Sequence, residues 1–117
     1  MTTEKWHQLE VVPNPHPDRD YDVVISIPEY TSVCPRTGLP DFATITITYV
    51  PDQQVVELKS LKYYILNYRN LGIFYEDVTN RILDDFKAAA RPRRIEVVGD
   101  FTPRGGIHTV VTSRWPP

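Results

Sequence analysis

The chain reads as an α+β protein, an antiparallel four-stranded sheet with two helices covering one face. Three observations predict this. Thr44-Ile45-Thr46-Ile47-Thr48-Tyr49-Val50 alternates strictly, with Ile45, Ile47 and Tyr49 on one face and threonines on the other. Phe74, Val78, Ile82 and Phe86 recur every four residues, the stripe of an amphipathic helix over 74–90. Strand-like runs stand on both sides of the helical part, so the element order is ββααββ.

Taken in order, residues 1–20 carry Pro13, Pro15 and Pro17 and no periodicity, which predicts an extended arm, either disordered or pinned to a neighbouring surface. Residues 21–117 form a single domain. Tyr21 to Ile27 is a first strand that stops at Pro28. Ser32 to Thr44 is a shaped loop, stiffened by Pro35, Gly38 and Pro40, and the alternating strand follows it. After a turn at Pro51-Asp52, Gln54 to Glu57 returns as the second strand of a hairpin. The first helix covers 58–68, with Leu58, Leu61, Ile65 and Tyr68 at helical spacing, and Asn70-Leu71-Gly72 breaks it. The second helix ends at Pro92, with Ile73 and Leu83 widening its stripe. Residues 94–98 and 107–112 pair around Pro103-Arg104-Gly105-Gly106. The exposed sheet edges of such a fold invite pairing, which predicts oligomerisation.

Composition narrows the function classes. With 13 Lys+Arg against 15 Asp+Glu the net charge is −2, so no global field recruits nucleic acid or an anionic membrane. One cysteine excludes an internal disulfide. No signal-like segment opens the chain, and no apolar run approaches the roughly 20 residues that span a bilayer. A reducing cytoplasm is the expected compartment. His7, His16, His108 and Cys34 have no metal-ligand spacing, so no metal is expected. Neither a G-x-G-x-x-G nor a P-loop motif is present, and a nucleotide cofactor would have to be held by basic side chains.

Four blocks can carry chemistry. Cys34 and Asp41 share the stiff loop, a thiol and a carboxylate suited to act as nucleophile and acid; packed as a small hydrophobe, Cys34 would be inert. Glu57 stands where a strand enters a helix, within reach of the first helical amides, and Lys59 and Lys62 share a helix face as a cationic patch suited to phosphates or merely solvated. Glu76 and Asp77 occupy the first turn of the long helix, where one acid suffices for the helix dipole and the other can face a base. Arg104, on the glycine-rich turn, can grip a phosphate bidentately or simply belong to a hairpin.

Together these blocks resemble the 7-cyano-7-deazaguanine reductases, NADPH-dependent nitrile reductases of queuosine biosynthesis. The residues that carry the resemblance are Cys34-Pro35-Arg36-Thr37-Gly38-Leu39-Pro40-Asp41-Phe42-Ala43-Thr44, the E-x-K-S-x-K-x-Y signature from Glu57 to Tyr64, Tyr68-Arg69-Asn70 with Phe74-Tyr75-Glu76, and Gly99-Asp100-Phe101 with Arg104-Gly105-Gly106. The resemblance covers residues 20–114 and implies the tunnelling fold, assembled into rings with sites between subunits. For a short, single-module chain it implies a decamer of two pentamers. It implies Cys34 as nucleophile, forming a thioimide with the nitrile, and Asp41 as proton donor. It places the substrate on Val56, Glu57, Leu58, Tyr75 and Glu76, and NADPH phosphates on Lys59, Lys62 and Arg104. Two departures stand out: Tyr75 occupies a position where many members have histidine, and Leu58 replaces a common serine. Alternatives are another tunnelling-fold enzyme acting on a purine or pterin, or a non-catalytic purine-binding assembly module.

Overall fold

Alternation carries the central strand further than its threonine run. The computed structural model describes residues 6–117, and in it β3 spans Pro40–Val50, pairing with β2, Val23–Val33, along one edge. On its other side β3 pairs with β5, Arg94–Arg104, which pairs in turn with β6, Ile107–Trp115. The result is an antiparallel sheet in the order β2-β3-β5-β6. α1, Leu58–Leu66, and α2, Tyr75–Ala90, cover one face. Ile45, Ile47 and Tyr49 of β3 and Ile95, Val97 and Phe101 of β5 point into that face and are buried. Val78, Ile82 and Phe86 of α2 meet them, and the Phe86 ring packs edge-on against Tyr49 at 4.8 Å. Each large apolar side chain buried this way contributes about 1.5–3 kcal/mol. The threonine face of β3 lies on the sheet's other side.

Several expectations need correction. The first strand does not stop at Pro28, because a bulge between Ile27 and Tyr30 absorbs the proline and the strand runs on to Val33. The loop read over 32–44 therefore shrinks to Cys34–Leu39, the tip of the β2–β3 hairpin, and Asp41 lies on a strand. Gln54–Val56, β4, does not return along β3. It pairs with β1, Val11–Pro13, of the arm, in a separate two-stranded sheet. The arm is thus pinned to its own chain: Trp6 packs edge-on against Tyr68 at 5.4 Å, and the His7 backbone exchanges hydrogen bonds with the Asn67 side chain. Residues 1–5 of the predicted arm lie outside the described residues. α1 ends at Leu66, and its buried stripe includes Tyr64 in place of Leu58, which is exposed. Phe74 caps α2 from outside and is also exposed. Among the described residues no helix is long and apolar enough to cross a membrane.

Candidate active site

The hairpin tip is held by its own backbone. Cys34 donates its N–H to the Leu39 carbonyl at 2.9 Å, and its carbonyl accepts the Gly38 N–H at 2.8 Å. Gly38 takes φ +72°, a conformation that leaves glycine unstrained. Val33 fixes the base of the tip to the segment between the helices, donating to the Leu71 carbonyl and accepting from Ile73. Two neighbouring strands and the entry to α2 thus converge on one half-exposed thiol. The Thr37 hydroxyl, followed by the backbone amides of Arg36 and Thr37, holds the Cys34 thiol below its ordinary pKa. Donors aimed at sulfur favour the thiolate, the nucleophilic form.

Asp41 sits at the end of the core-facing row that continues through Ala43, Ile45, Ile47 and Tyr49, and it is buried. Its Oδ1 accepts the Tyr75 hydroxyl at 3.0 Å. The Tyr75 ring stacks on Phe101 with centroids 3.9 Å apart, which sets the direction of that hydroxyl. Burial first, then the bond to Asp41, push the Tyr75 phenol above its ordinary pKa. Arg104 Nη1 lies 3.5 Å from the same Oδ1 and also donates to the Pro40 carbonyl.

Two β-bulges aim these side chains. On β2, three steps from Ile27 to Tyr30 face two steps on β3, so the inward set changes from Ile25 and Ile27 to Tyr30 and Ser32. On β5, the irregularity between Phe101 and Arg104 likewise brings Arg104 onto the face that Phe101 occupies. A bulge re-aims side chains without breaking the sheet. Tyr30 and Ser32 are buried beside Asp41, and their hydroxyls have no hydrogen-bond partner among the described residues. An unpartnered buried hydroxyl costs about 1–3 kcal/mol. The sequence reading missed both; Ser32 becomes visible only once the register sets it opposite Asp41.

Cys34, Asp41, Ile73, Phe74, Tyr75 and Arg104 line a cleft of about 300 Å³. It brings together only part of the predicted site. Glu76 lies beside Tyr75 in the first turn of α2, exposed and outside the lining. Val56, Glu57, Leu58, Lys59 and Lys62 gather around the start of α1 and do not line this cleft. There Glu57 is the N-cap, its two oxygens accepting the Lys59 and Ser60 amides at 2.8 and 2.7 Å. Those amides, Lys59 first, lower its pKa. Val56 is buried, whereas Leu58, Lys59 and Lys62 are exposed. Lys62 borders a second, mainly apolar groove with Ile25, Ile27, Leu61 and Leu66. A third cleft, of about 440 Å³ between the arm and α2, is lined by Trp6, Tyr64, Arg81 and Asp85 and contains no thiol.

Comparison with known proteins gives this arrangement its context. The chain is 59% identical over 115 residues to a protein of Thermomicrobium roseum named NADPH-dependent 7-cyano-7-deazaguanine reductase, covering 98% of this chain and 90% of that one. Proteins of the same name from Anaeromyxobacter sp. (58% over 114 residues; 97% and 93% covered) and Chlorobaculum tepidum (61% over 104 residues; 89% of each covered) are similarly close. The crystal structure of the apo archaeosine synthase QueF-Like superposes with a TM-score of 0.71 at 22% identity, covering 81% of this chain and 91% of that one. That likeness is one of fold, and it agrees with the α+β tunnelling-fold reading. The family model described as QueF-like protein matches residues 40–116, a span that starts at the strand carrying Asp41 and includes both helices, so the chain belongs to the QueF-like protein family.

Proposed function

We propose that this protein is an NADPH-dependent reductase that converts the nitrile of 7-cyano-7-deazaguanine to an aminomethyl group, in the cytoplasm and in queuosine biosynthesis. The observation that carries the reading is a thiol of lowered pKa and a buried carboxyl group lining one small cleft, in a chain whose close relatives bear that name. The Cys34 thiolate attacks the nitrile carbon, one carbon–nitrogen π pair moves to nitrogen, and Asp41 delivers a proton there, leaving a thioimide. NADPH, when bound, would supply one hydride per molecule, so two molecules and a second proton on nitrogen would balance the reduction to the aminomethyl group, with Cys34 released as its thiolate. Tyr75 holds Asp41 by its hydroxyl and, unlike a histidine, exchanges no proton near neutral pH.

Substrate binding by Val56, Glu57, Leu58, Tyr75 and Glu76 extends beyond the Cys34 cleft, so we assign the two halves of the site to neighbouring subunits. Among the described residues the outer edges of β2, apart from Val33, and of β6 have no strand partner, and these edges with the exposed Val24, Leu58 and Val110 support this. A ring, in the form of two facing pentamers, closes such edges. Lys59 and Lys62 have no carboxylate within ion-pair distance among the described residues, and fit cofactor phosphates by charge and exposure. Arg104 fits less well, since it is engaged with Pro40 and Asp41.

The test is intact mass and ultraviolet absorbance after mixing with the nitrile and no NADPH. An adduct of the nitrile's mass is expected on wild type and not on Cys34→Ala, and NADPH should discharge it. Assembled, reduced wild type that forms no adduct overturns the reading in favour of a binding module or another heterocycle enzyme.

A further inference from the structure

The mechanism above leaves the two buried hydroxyls of β2 without a task. Tyr30 is 0% and Ser32 1% exposed, and among the described residues neither hydroxyl has a partner. They are placed there by the bulge at Pro28-Glu29; without it, Ser32 would face the open side of the sheet. Ser32 is instead the direct cross-strand neighbour of Asp41, and Cβ atoms so paired lie about 4.5–5.5 Å apart. We propose that Ser32, backed by Tyr30, is a positioning residue for Asp41, its hydroxyl rotating to donate to the carboxylate as Asp41 gives its proton to the substrate nitrogen.

This deepens the nitrile-reductase reading and rests on it. A carboxylic acid that becomes a carboxylate loses a donor and gains acceptor capacity. Tyr75 already donates to Oδ1, and Arg104 stands 3.5 Å from that oxygen. A hydroxyl with no commitment elsewhere can answer the new demand without breaking an existing bond. Pre-placed donors that meet charge only as it develops lower the barrier without stabilising the resting state. The groups facing Asp41 are Cys34 from the hairpin tip, Tyr75 from α2, Arg104 from β5, and Tyr30 and Ser32 from β2, with Tyr68 behind Tyr30. Burial first raises the Tyr30 phenol pKa, the Ser32 hydroxyl lowers it, and the charges of Tyr68, Asp41 and Tyr75 raise it further. Ser32 and Asp41 are therefore both within electrostatic reach of Tyr30, although the two hydroxyls do not meet in hydrogen-bond geometry.

The experiment measures kcat, KM, their pH profiles and the melting temperature of the assembled enzyme for wild type, Ser32→Ala, Ser32→Thr and Tyr30→Phe. Hydrogen bonds to a charged group are strong enough that Ser32→Ala should lower kcat about 10-fold with KM unchanged. The pH profile of kcat should change as well, because the acid loses a donor to its ionised form. Ser32→Ala and Tyr30→Phe should melt no lower than wild type, because no existing bond is removed, and Ser32→Thr should restore rate and profile. Wild-type kcat and pH profile in Ser32→Ala overturn the proposal. So does a Ser32→Ala enzyme that melts early, which assigns the hydroxyl to the fold, or a Ser32→Thr enzyme that behaves like alanine. Wild type that neither forms the Cys34 adduct nor turns over fails earlier and takes down the nitrile-reductase reading itself.

Discussion

The β2–β3 hairpin tip and the start of α1 are both chemically equipped, yet the fold treats them differently. At the tip, backbone bonds between Cys34, Gly38 and Leu39, a bridge to Gly72 and two bulges fix a thiol, a carboxyl, a phenol and a guanidinium around one cleft. At the start of α1, Glu57 spends both carboxylate oxygens on its own helix, and Leu58, Lys59 and Lys62 face outward. The first region is organised by its own chain down to hydrogen-bond geometry. The second is held as an exposed surface, which in the proposed assembly completes a neighbour's cleft. Under the proposed assembly, a site begun in one chain is completed by another, provided each half is rigid before they meet.

The sharpest way to break this comparison is complementation. Asp41→Asn removes the proposed proton donor while keeping an acceptor for Tyr75, and should cost about 10²–10⁴-fold in turnover. Glu57→Gln should cripple the opposite half. If the halves come from neighbouring subunits, dissociating and remixing the two proteins should restore about a quarter of the sites by random head-to-tail pairing. Activity of the mixture no greater than that of its components would place both halves within one subunit.

A smaller effect separates the helix-capping carboxylate from the thiol of the hairpin tip. Glu57→Ala deletes an N-cap that accepts two amides and should lower the urea midpoint, whereas Cys34→Ala, at the half-exposed hairpin tip, should leave it unchanged. Equal midpoints for the two variants would show that Glu57 does not hold the helix.

The smallest effect concerns the tip alone. Alkylation of Cys34 by iodoacetamide, followed against pH, tracks the thiolate, and its midpoint should lie below that of an ordinary cysteine thiol. Thr37→Val removes the largest cause of that lowering, so the midpoint should move up and the rate near neutral pH should fall. A midpoint that stays in place would transfer the effect to the backbone amides of Arg36 and Thr37.

By itself the sequence determined the layers, the sheet's inner face and the chemistry on offer. Period-two alternation in Ile45-Thr46-Ile47-Thr48-Tyr49 and period-four spacing in α2 are local signals, and the core obeys them. The grouping of Cys34 with Asp41 was equally legible, because six residues of hairpin tip join their strands. What only the tertiary structure decided lies at longer range. Pro28 reads locally as a stop, but on an edge strand a missing donor costs no ladder bond, and a bulge carries β2 on to Val33. Val55 and Val56 read as half of a hairpin with β3, yet the arm from Val11 to Pro13 outcompetes β3 for them. Which way Tyr30, Ser32 and Arg104 point depends on one extra residue in each of two strands, and a shift of one residue reverses every side chain after it. No composition or spacing reports such a shift, because it is set by which residues pair across the sheet and not by the order of residues along the chain.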